Sequence, residues 1–140
     1  MASIRSEVRT YLQTIAAVTT LVSTRIYAMT APNSAAYPFV IITRVSSDHQ
    51  HHVTDSAGLV RDRLQLNIFA ATAISLNNVC EALRNALDTY AGAMGATTVR
   101  DCKLEDETDD STAPSDGSDE SIYSTRQDYF IWRNEAAPTA

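Results

Sequence analysis

The sequence has few basic residues and no long apolar run, and each shortage excludes a class of protein. Eleven Lys and Arg stand against 17 Asp and Glu, giving a formal net charge of −6. This balance disfavours a general nucleic-acid binder, because such a protein needs a basic face. No stretch approaches the ~20 apolar residues that a membrane span requires. Arg5, Glu7 and Arg9 stand where a signal peptide would have its apolar stretch, so we expect a protein of the cytosol.

Cysteines and catalytic motifs are also scarce. Cys80 and Cys102 are the two cysteines, and they lack CxxC or other metal-binding spacing. We expect buried free thiols, with a disulfide or a reactive thiol as the alternatives. The signature of a nucleophilic serine, the phosphate-binding P-loop and the glycine fingerprint of dinucleotide sites are all absent. We therefore expect no enzyme, no cofactor and no metal.

The length and the apolar content predict a single domain. A chain of 140 residues with 44% apolar residues is long enough and apolar enough to fill one core. At this size neither a metal nor a disulfide is needed to explain stability. We expect the domain to cover residues 1–134 and a flexible tail to follow at residues 135–140.

The spacing of apolar residues predicts two helices and four strands. Apolar residues recur every three or four positions over residues 3–22 and 72–90, as in amphipathic helices, and Ser3 and Thr72 can cap these helices. Residues 25–27 are expected to form a short extended piece. Alternation or β-branched composition predicts strands over 38–47, after Gly58, over 97–104 and over 121–133. The predicted fold class is α+β, in the order helix-strand-strand-helix-strand-strand, with a mainly antiparallel four-stranded sheet and two helices packed on one face.

Acidic residues are concentrated in one segment. Eight of the 17 acids lie within sixteen residues that contain no Lys or Arg, and the rest of the chain is close to neutral. We expect these residues to form a protruding hairpin at 105–120, as a solvated acidic loop. Calcium binding is the alternative, although the spacing does not fit an EF-hand loop. The eight acids are Glu105, Asp106, Glu107, Asp109, Asp110, Asp116, Asp119 and Glu120.

The three histidines lie in a second predicted hairpin, at 48–57. His49, His51 and His52 have Asp48 and Asp55 as neighbours, and imidazole and carboxylate groups are ligands of zinc, nickel and copper. A polar hairpin offers few groups that could orient such ligands. A solvated loop is therefore favoured, with an interface contact or a metal site as the alternatives.

Four residues of two predicted strands are candidate interface residues. Arg61 and Arg63 lie on the polar face of their strand, where they form either an ordinary charged sheet surface or contacts with acids of another subunit. Tyr129 and Trp132 lie in the last predicted strand, which carries aromatics on both faces. They are either core residues or residues that a partner covers.

Several segments match, in order and spacing, those of a known family. They are the N-terminal helix with residues 25–27, the segments 37–41 (YPFVI), 58–70 (GLVRDRLQLNIFA), 82–88 (ALRNALD), 104–107 (LEDE) and 127–132 (QDYFIW). Together they resemble the tail completion family of long-tailed bacteriophages and prophages, the small tail terminator or head–tail joining proteins. The resemblance spans nearly the whole chain.

This resemblance implies a structural role. It implies a ring, usually a hexamer, that binds the last ring of the major tail tube protein, ends tube elongation and presents the surface that docks on the head–tail connector proteins. The protein is then expected in the virion, at the head–tail junction, after assembly in the host cytoplasm. The acidic hairpin at 105–120 is then expected to face the lumen of the ring or a partner. Genome DNA is expected to pass without specific binding, and no membrane, cofactor or reaction is implied. The competing prediction is a non-catalytic adaptor or protein-binding module unrelated to tail termination.

Overall fold

The computed structural model describes residues 4–30, 32, 36–51, 56–94, 97–109 and 122–134. The helices within this part of the chain are α1 (Ile4–Gln13), α2 (Ala16–Val22) and α3 (Ala73–Leu87). The strands are β1 (Ile26–Ala28), β2 (Phe39–His51), β3 (Ser56–Ala70), β4 (Gly92–Met94), β5 (Thr97–Asp109) and β6 (Tyr123–Asn134). None of these helices is both long and apolar enough to cross a membrane.

The predicted fold class is wrong in its count of helices and strands and in its sheet. The described residues form three helices and a six-stranded mixed sheet in the order β1-β2-β3-β6-β5-β4, in which β1 runs parallel to β2 and every other pairing is antiparallel. The sequence shows no alternation for β1 and β4 because each has only three residues. Both belong to the sheet through pairing with their neighbours and through the burial of Ile26 and Met94.

The predicted first helix is divided at Thr14 and Ile15. Ile15 is extended, with φ −92° and ψ 110°, and the amides of both residues donate to carbonyls three residues back, which closes α1 with tight turns. Apolar spacing does not reveal this break. Leu12 before it and Val18 and Val22 after it are all buried in the same core, so the periodic pattern continues across the junction.

The predicted cap of the second helix is confirmed. The Thr72 side chain accepts a hydrogen bond from the amide of Ser75 at the start of α3, at 3.1 Å. The helix ends at Leu87, three residues before the predicted end, because Asp88 is extended and Thr89 has a positive φ of 67°.

One core lies between the helices and one face of the sheet. Its strand residues alternate along β3 and β6, so their neighbours in sequence point to the opposite face. We call that opposite surface the helix-free face, because no described helix contributes to it. Fully buried members of the core include Leu12, Ile26, Ile42, Leu64, Leu66, Ile68, Leu83, Leu87, Met94, Tyr129 and Ile131.

The two predicted hairpin connections leave the sheet at opposite ends. The connection from β2 to β3 follows His51, and that from β5 to β6 follows Asp109. Since β3 pairs antiparallel with both β2 and β6, these two points lie at opposite ends of the strands. Both hairpins have longer strands than predicted, so residues 48–51 and 105–109 are strand residues. Residues 52–55, 110–121 and 135–140 lie outside the described part.

Candidate interaction surface

The helix-free face brings two predicted arginines against two aromatic rings. Arg61 pairs with Trp132 across β3 and β6, and Arg63 pairs with Phe130. Period-two alternation explains the placement, because the residues that alternate with these four on β3 and β6 point into the core. The alternation in the sequence could therefore have placed Phe130 on this face, although Phe130 was not among the predicted interface residues.

Cation–π contacts hold this group together. The Arg61 guanidinium carbon lies 4.8 Å from the centre of the Phe130 ring and 5.6 Å from that of Trp132. The guanidinium carbon of Arg63 lies 5.9 Å from the Phe130 ring. Each such contact contributes about 0.5–1 kcal/mol at an exposed site. We name Arg61, Arg63, Phe130 and Trp132 the Arg–aromatic patch.

Two carboxylates pair with the arginines of the patch. Arg61 donates to Asp48 at 2.7 Å, in a pair that is exposed on both sides, and Arg63 donates to Asp128 at 3.1 Å. Asp128 is buried, and its Oδ1 atom has no hydrogen-bond partner among the described residues; the same holds for Arg63 Nε. Buried polar atoms without partners are costly, so these two atoms lower the stability that the Arg63–Asp128 pair contributes.

Trp132 stands between two depressions. The smaller, of about 120 Å³, is lined by Arg61, Phe130 and Trp132 together with Lys103 and Glu105 from β5. The larger, of about 490 Å³, lies on the other side of the ring and is lined by Leu59, Arg100, Asp101, Trp132 and Asn134. The indole is half-buried and lines both depressions, and tryptophan is enriched among the residues that dominate binding at protein interfaces.

Tyr129 does not belong to this surface. It lies on the core side of β6 with no exposed area, and burial raises the pKa of its hydroxyl above its ordinary value. The hydroxyl donates to Gln127 Oε1 at 2.9 Å, while Gln127 Nε2 donates to Glu107 at 2.6 Å and to the Cys80 carbonyl at 3.1 Å. Tyr129 was predicted to be either a core residue or a residue that a partner covers, and the structure shows that it is a core residue.

Half of the predicted acidic cluster lies on β5. Glu105, Asp106, Glu107 and Asp109 are exposed, and two of them are tied to β6: Glu107 to Gln127, and Asp109 to the Thr125 hydroxyl at 2.8 Å. The other four predicted acids, Asp110, Asp116, Asp119 and Glu120, lie outside the described residues.

A second aromatic group lies on the same face, at the end of the sheet where β3 finishes. Phe39 stacks on Phe69 with ring centres 5.0 Å apart, and Tyr37 and Tyr27 contact Phe39 at 5.4 Å and 6.1 Å. Sequence reasoning used these residues only as strand formers. For Phe69, the alternation along β3 was the signal that could have placed its ring on the helix-free face.

The predicted histidine hairpin is described only in part, and the two cysteines lie on other elements, Cys80 on α3 and Cys102 on β5. His49 and His51 are backbone members of β2, while His52 and Asp55 lie outside the described residues. Within the described part, no three His, Cys, Asp or Glu residues are grouped as metal ligands would be. The expectation of buried free thiols is confirmed: Cys80 and Cys102 are both buried and unpaired. Burial raises their pKa values to about 11 and about 12.

Comparisons with known proteins identify one family. The family described as "Tail completion protein gp17" matches residues 6–118 of this chain. No curated protein sequence shows significant similarity. A chain in the solved virion of a native gene transfer agent particle has the same fold, with a TM-score of 0.63, 14% identity and coverage of 97% of this chain and 96% of that one. A second solved chain, at a TM-score of 0.48 and 12% identity over 93% of this chain and 96% of that one, is too distant to support an argument.

Proposed function

We propose, from the premise that this chain belongs to the tail completion protein gp17 family, that it caps the tail tube, ends tube elongation and provides the surface that joins the tail to the head connector. The observation that carries this proposal is the family match over residues 6–118. Family membership directly supports the general statement that this chain is a structural phage tail protein. The adaptor alternative is set aside because a tail family accounts for most of the chain.

The fold likeness supports the same conclusion for the part of the chain beyond the family match. The family match stops at residue 118, before β6, whereas the likeness to the chain of the gene transfer agent virion covers 97% of the sequence. That chain is a component of a virion, and we propose the same location for this protein. The proposed role is structural and requires no reaction or cofactor.

The proposed working form is a ring, with six subunits as the expected number. A closed cyclic ring needs two different contact patches on each subunit. We assign one of them to the Arg–aromatic patch, because Arg and Trp are enriched at interface centres. The partly exposed Trp132 ring, which lines a depression of about 120 Å³, supports this assignment.

The acidic residues are proposed to face the lumen or a neighbouring subunit. Acids near the lumen repel the phosphates of passing DNA, and this repulsion extends about 8–10 Å at physiological ionic strength. Genome DNA would then pass without specific binding. Exposure of Glu105, Asp106, Glu107 and Asp109 on β5 is consistent with this role.

The proposal is tested by size-exclusion chromatography with light scattering, on the protein alone and with tubes of the major tail protein from the same genome. A ring of about six subunits, or a monomer that assembles only on tube ends, is the expected result. A monomer or dimer that ignores tubes would refute the proposed function.

A pair of charge-reversal variants tests the assigned patch. Arg61→Glu combined with Arg63→Glu should leave the far-ultraviolet circular dichroism unchanged and abolish ring formation. Arg84→Glu is the matched control, because Arg84 is an exposed arginine on α3, away from the helix-free face. Ring formation by the double variant at the wild-type level would exclude the patch as a subunit contact.

A further inference from the structure

Both edges of the sheet are only partly covered within the described residues. On one edge, β1 pairs with Val40, Ile41 and Ile42 of β2 and with no later residue of that strand. On the other edge, β4 pairs only with residues 97–99 of β5. The Thr89 amide donates to the Cys102 carbonyl, and Asp88 accepts from the amide of Leu104, so the protected part of β5 ends there. The free segments are residues 43–48 of β2 and 105–109 of β5.

Free strand edges readily pair with another chain. The β2 segment contains a register shift between Arg44 and Ser46, which leaves Val45 without a partner on β3 and 50% exposed. An exposed apolar residue on an unpaired edge favours coverage by another strand. Arg44, beside it, is exposed and makes no ion pair with any described residue.

The charges of the two segments favour pairing between them. Residues 105–109 of β5 contain four acids and no base, so two β5 edges placed together would face each other with like charges, which is destabilising. The free part of β2 offers Arg44, and its one acid, Asp48, already pairs with Arg61. The acidic edge of β5 therefore disfavours its own copy and is complementary to β2.

The strand directions also fit. Along the sheet, β2 and β5 run in opposite directions, since β2 is antiparallel to β3, β3 to β6 and β6 to β5. When two copies stand side by side in the same orientation, the β5 edge of one meets the β2 edge of the next as an antiparallel pair. The two edges are different surfaces, so the contact is heterologous and can repeat around a ring.

We propose that neighbouring copies of this chain join edge to edge, with residues 105–109 of β5 in one copy pairing with residues 43–48 of β2 in the next, so that the sheet continues from subunit to subunit. This inference rests on the proposed ring and names the second contact in it. The Arg–aromatic patch on the helix-free face remains available to the same neighbour.

The registers set the offset between copies. Within one copy, Glu107 lies level with Ile42 through Gln127 and Leu66. Pairing at the centre of both free segments places Glu107 opposite Ser46 of the neighbour and Thr108 opposite Val45. This difference of about four residues corresponds to ~13 Å along the strands. A closed ring accommodates such a stagger when the strands are inclined to the ring axis, as in closed barrels.

Cysteine cross-linking tests the contact in the assembled protein. Val45→Cys and Thr108→Cys place single exposed thiols on the two edges, while the native Cys80 and Cys102 are buried. The two variants are mixed, assembled alone or on tube ends, and oxidised before non-reducing electrophoresis. We expect about ten-fold more cross-linked dimer in the mixture than in either variant alone, because a heterologous contact presents residue 45 only to residue 108.

A matched control replaces Thr108→Cys by Ile74→Cys, whose side chain is 76% exposed at the start of α3, away from both edges. This pair should cross-link at the background level. Two outcomes would overturn the edge pairing and leave the proposed function intact. The first is that rings form without the 45–108 cross-link, and the second is that either edge variant cross-links with itself. If neither sample forms rings, both proposals fail.

Discussion

Replacing the carboxylate of Asp62 by an amide is expected to destabilise the folded subunit strongly. Asp62 has no exposed area, and one carboxylate oxygen accepts a hydrogen bond from the Ser47 hydroxyl while the other accepts from Nε of the buried Arg133. Asp62→Asn leaves the Arg133 guanidinium buried without a compensating charge. Breaking a buried ion pair from one side costs about 3–5 kcal/mol, a large part of the 5–15 kcal/mol that stabilises an ordinary domain.

The chain contains a matched control for this prediction. Asp48→Asn removes the carboxylate from an ion pair with Arg61 on the same strand pair, but those side chains are 59% and 38% exposed. An exposed pair contributes at most about 1 kcal/mol. A third variant, Asp62→Leu with Arg133→Met, removes both buried charges and should recover much of the stability lost by Asp62→Asn alone.

Urea denaturation followed by circular dichroism measures these differences. With a slope of about 1–3 kcal/mol per molar urea, Asp62→Asn should lower the midpoint by more than ~1 M, and Asp48→Asn by less than ~1 M. The reasoning would be refuted if the two single variants had midpoints within experimental error of each other.

Further predictions concern the core and the start of α3. Gln127→Leu should cost about 1–3 kcal/mol, because it leaves the buried Tyr129 hydroxyl without its acceptor, and more than Tyr129→Phe. Thr72→Ala should cost about 0.5–2 kcal/mol through loss of the helix cap. Burial raises the pKa values of the Cys80 and Cys102 thiols to about 11 and about 12, so the folded state favours the protonated thiols. The free energy of unfolding should therefore have its full value below the ordinary thiol pKa of about 8.5. It should decrease as the pH rises from there toward 11, because the thiols of the unfolded chain lose their protons first.

These predictions are checked by denaturation and by thiol labelling. Equal midpoints for Gln127→Leu and Tyr129→Phe would contradict the assigned hydrogen bonds, and an unchanged midpoint for Thr72→Ala would contradict the cap. Both cysteines should react slowly with a thiol reagent at pH 8 in the native protein and rapidly after denaturation. Fast labelling of the folded chain would show that the thiols are accessible.

Patterns that extend over many residues could be predicted from the sequence. The alternation after Gly58 and over residues 121–133 corresponds to β3 and β6, and in β3 it places Arg61 and Arg63 away from the core. The apolar period of α3 and its cap at Thr72 were readable for the same reason. In each case one face of the element is buried, so apolar residues recur at a fixed spacing that is visible in the sequence.

Short elements and their pairing could be predicted only in part. β1 and β4 have three residues each, too few to show a local repeat. The extended piece expected at residues 25–27 overlaps β1, but nothing in the sequence indicated its parallel pairing with β2, and β4 was not expected. The break at Ile15 is hidden because both flanking helices bury residues in one core. Tyr129 and Trp132 are three residues apart in one strand, so they lie on opposite faces, but aromatic residues on both faces conceal which face is buried. Pairing with β3 puts Tyr129 beside Leu64 in the core and Trp132 beside Arg61 on the surface.

The most direct test of the central claim is a tube elongation experiment. The major tail protein of the same genome is allowed to polymerise with and without this chain, more tube protein is then added, and tube lengths are measured by electron microscopy. We expect the chain to form a cap at one end of each tube, and capped ends to stop growing when tube protein is added. Tubes that keep elongating to the same length distribution, with no chain bound at their ends, would contradict the assignment as a tail-capping protein.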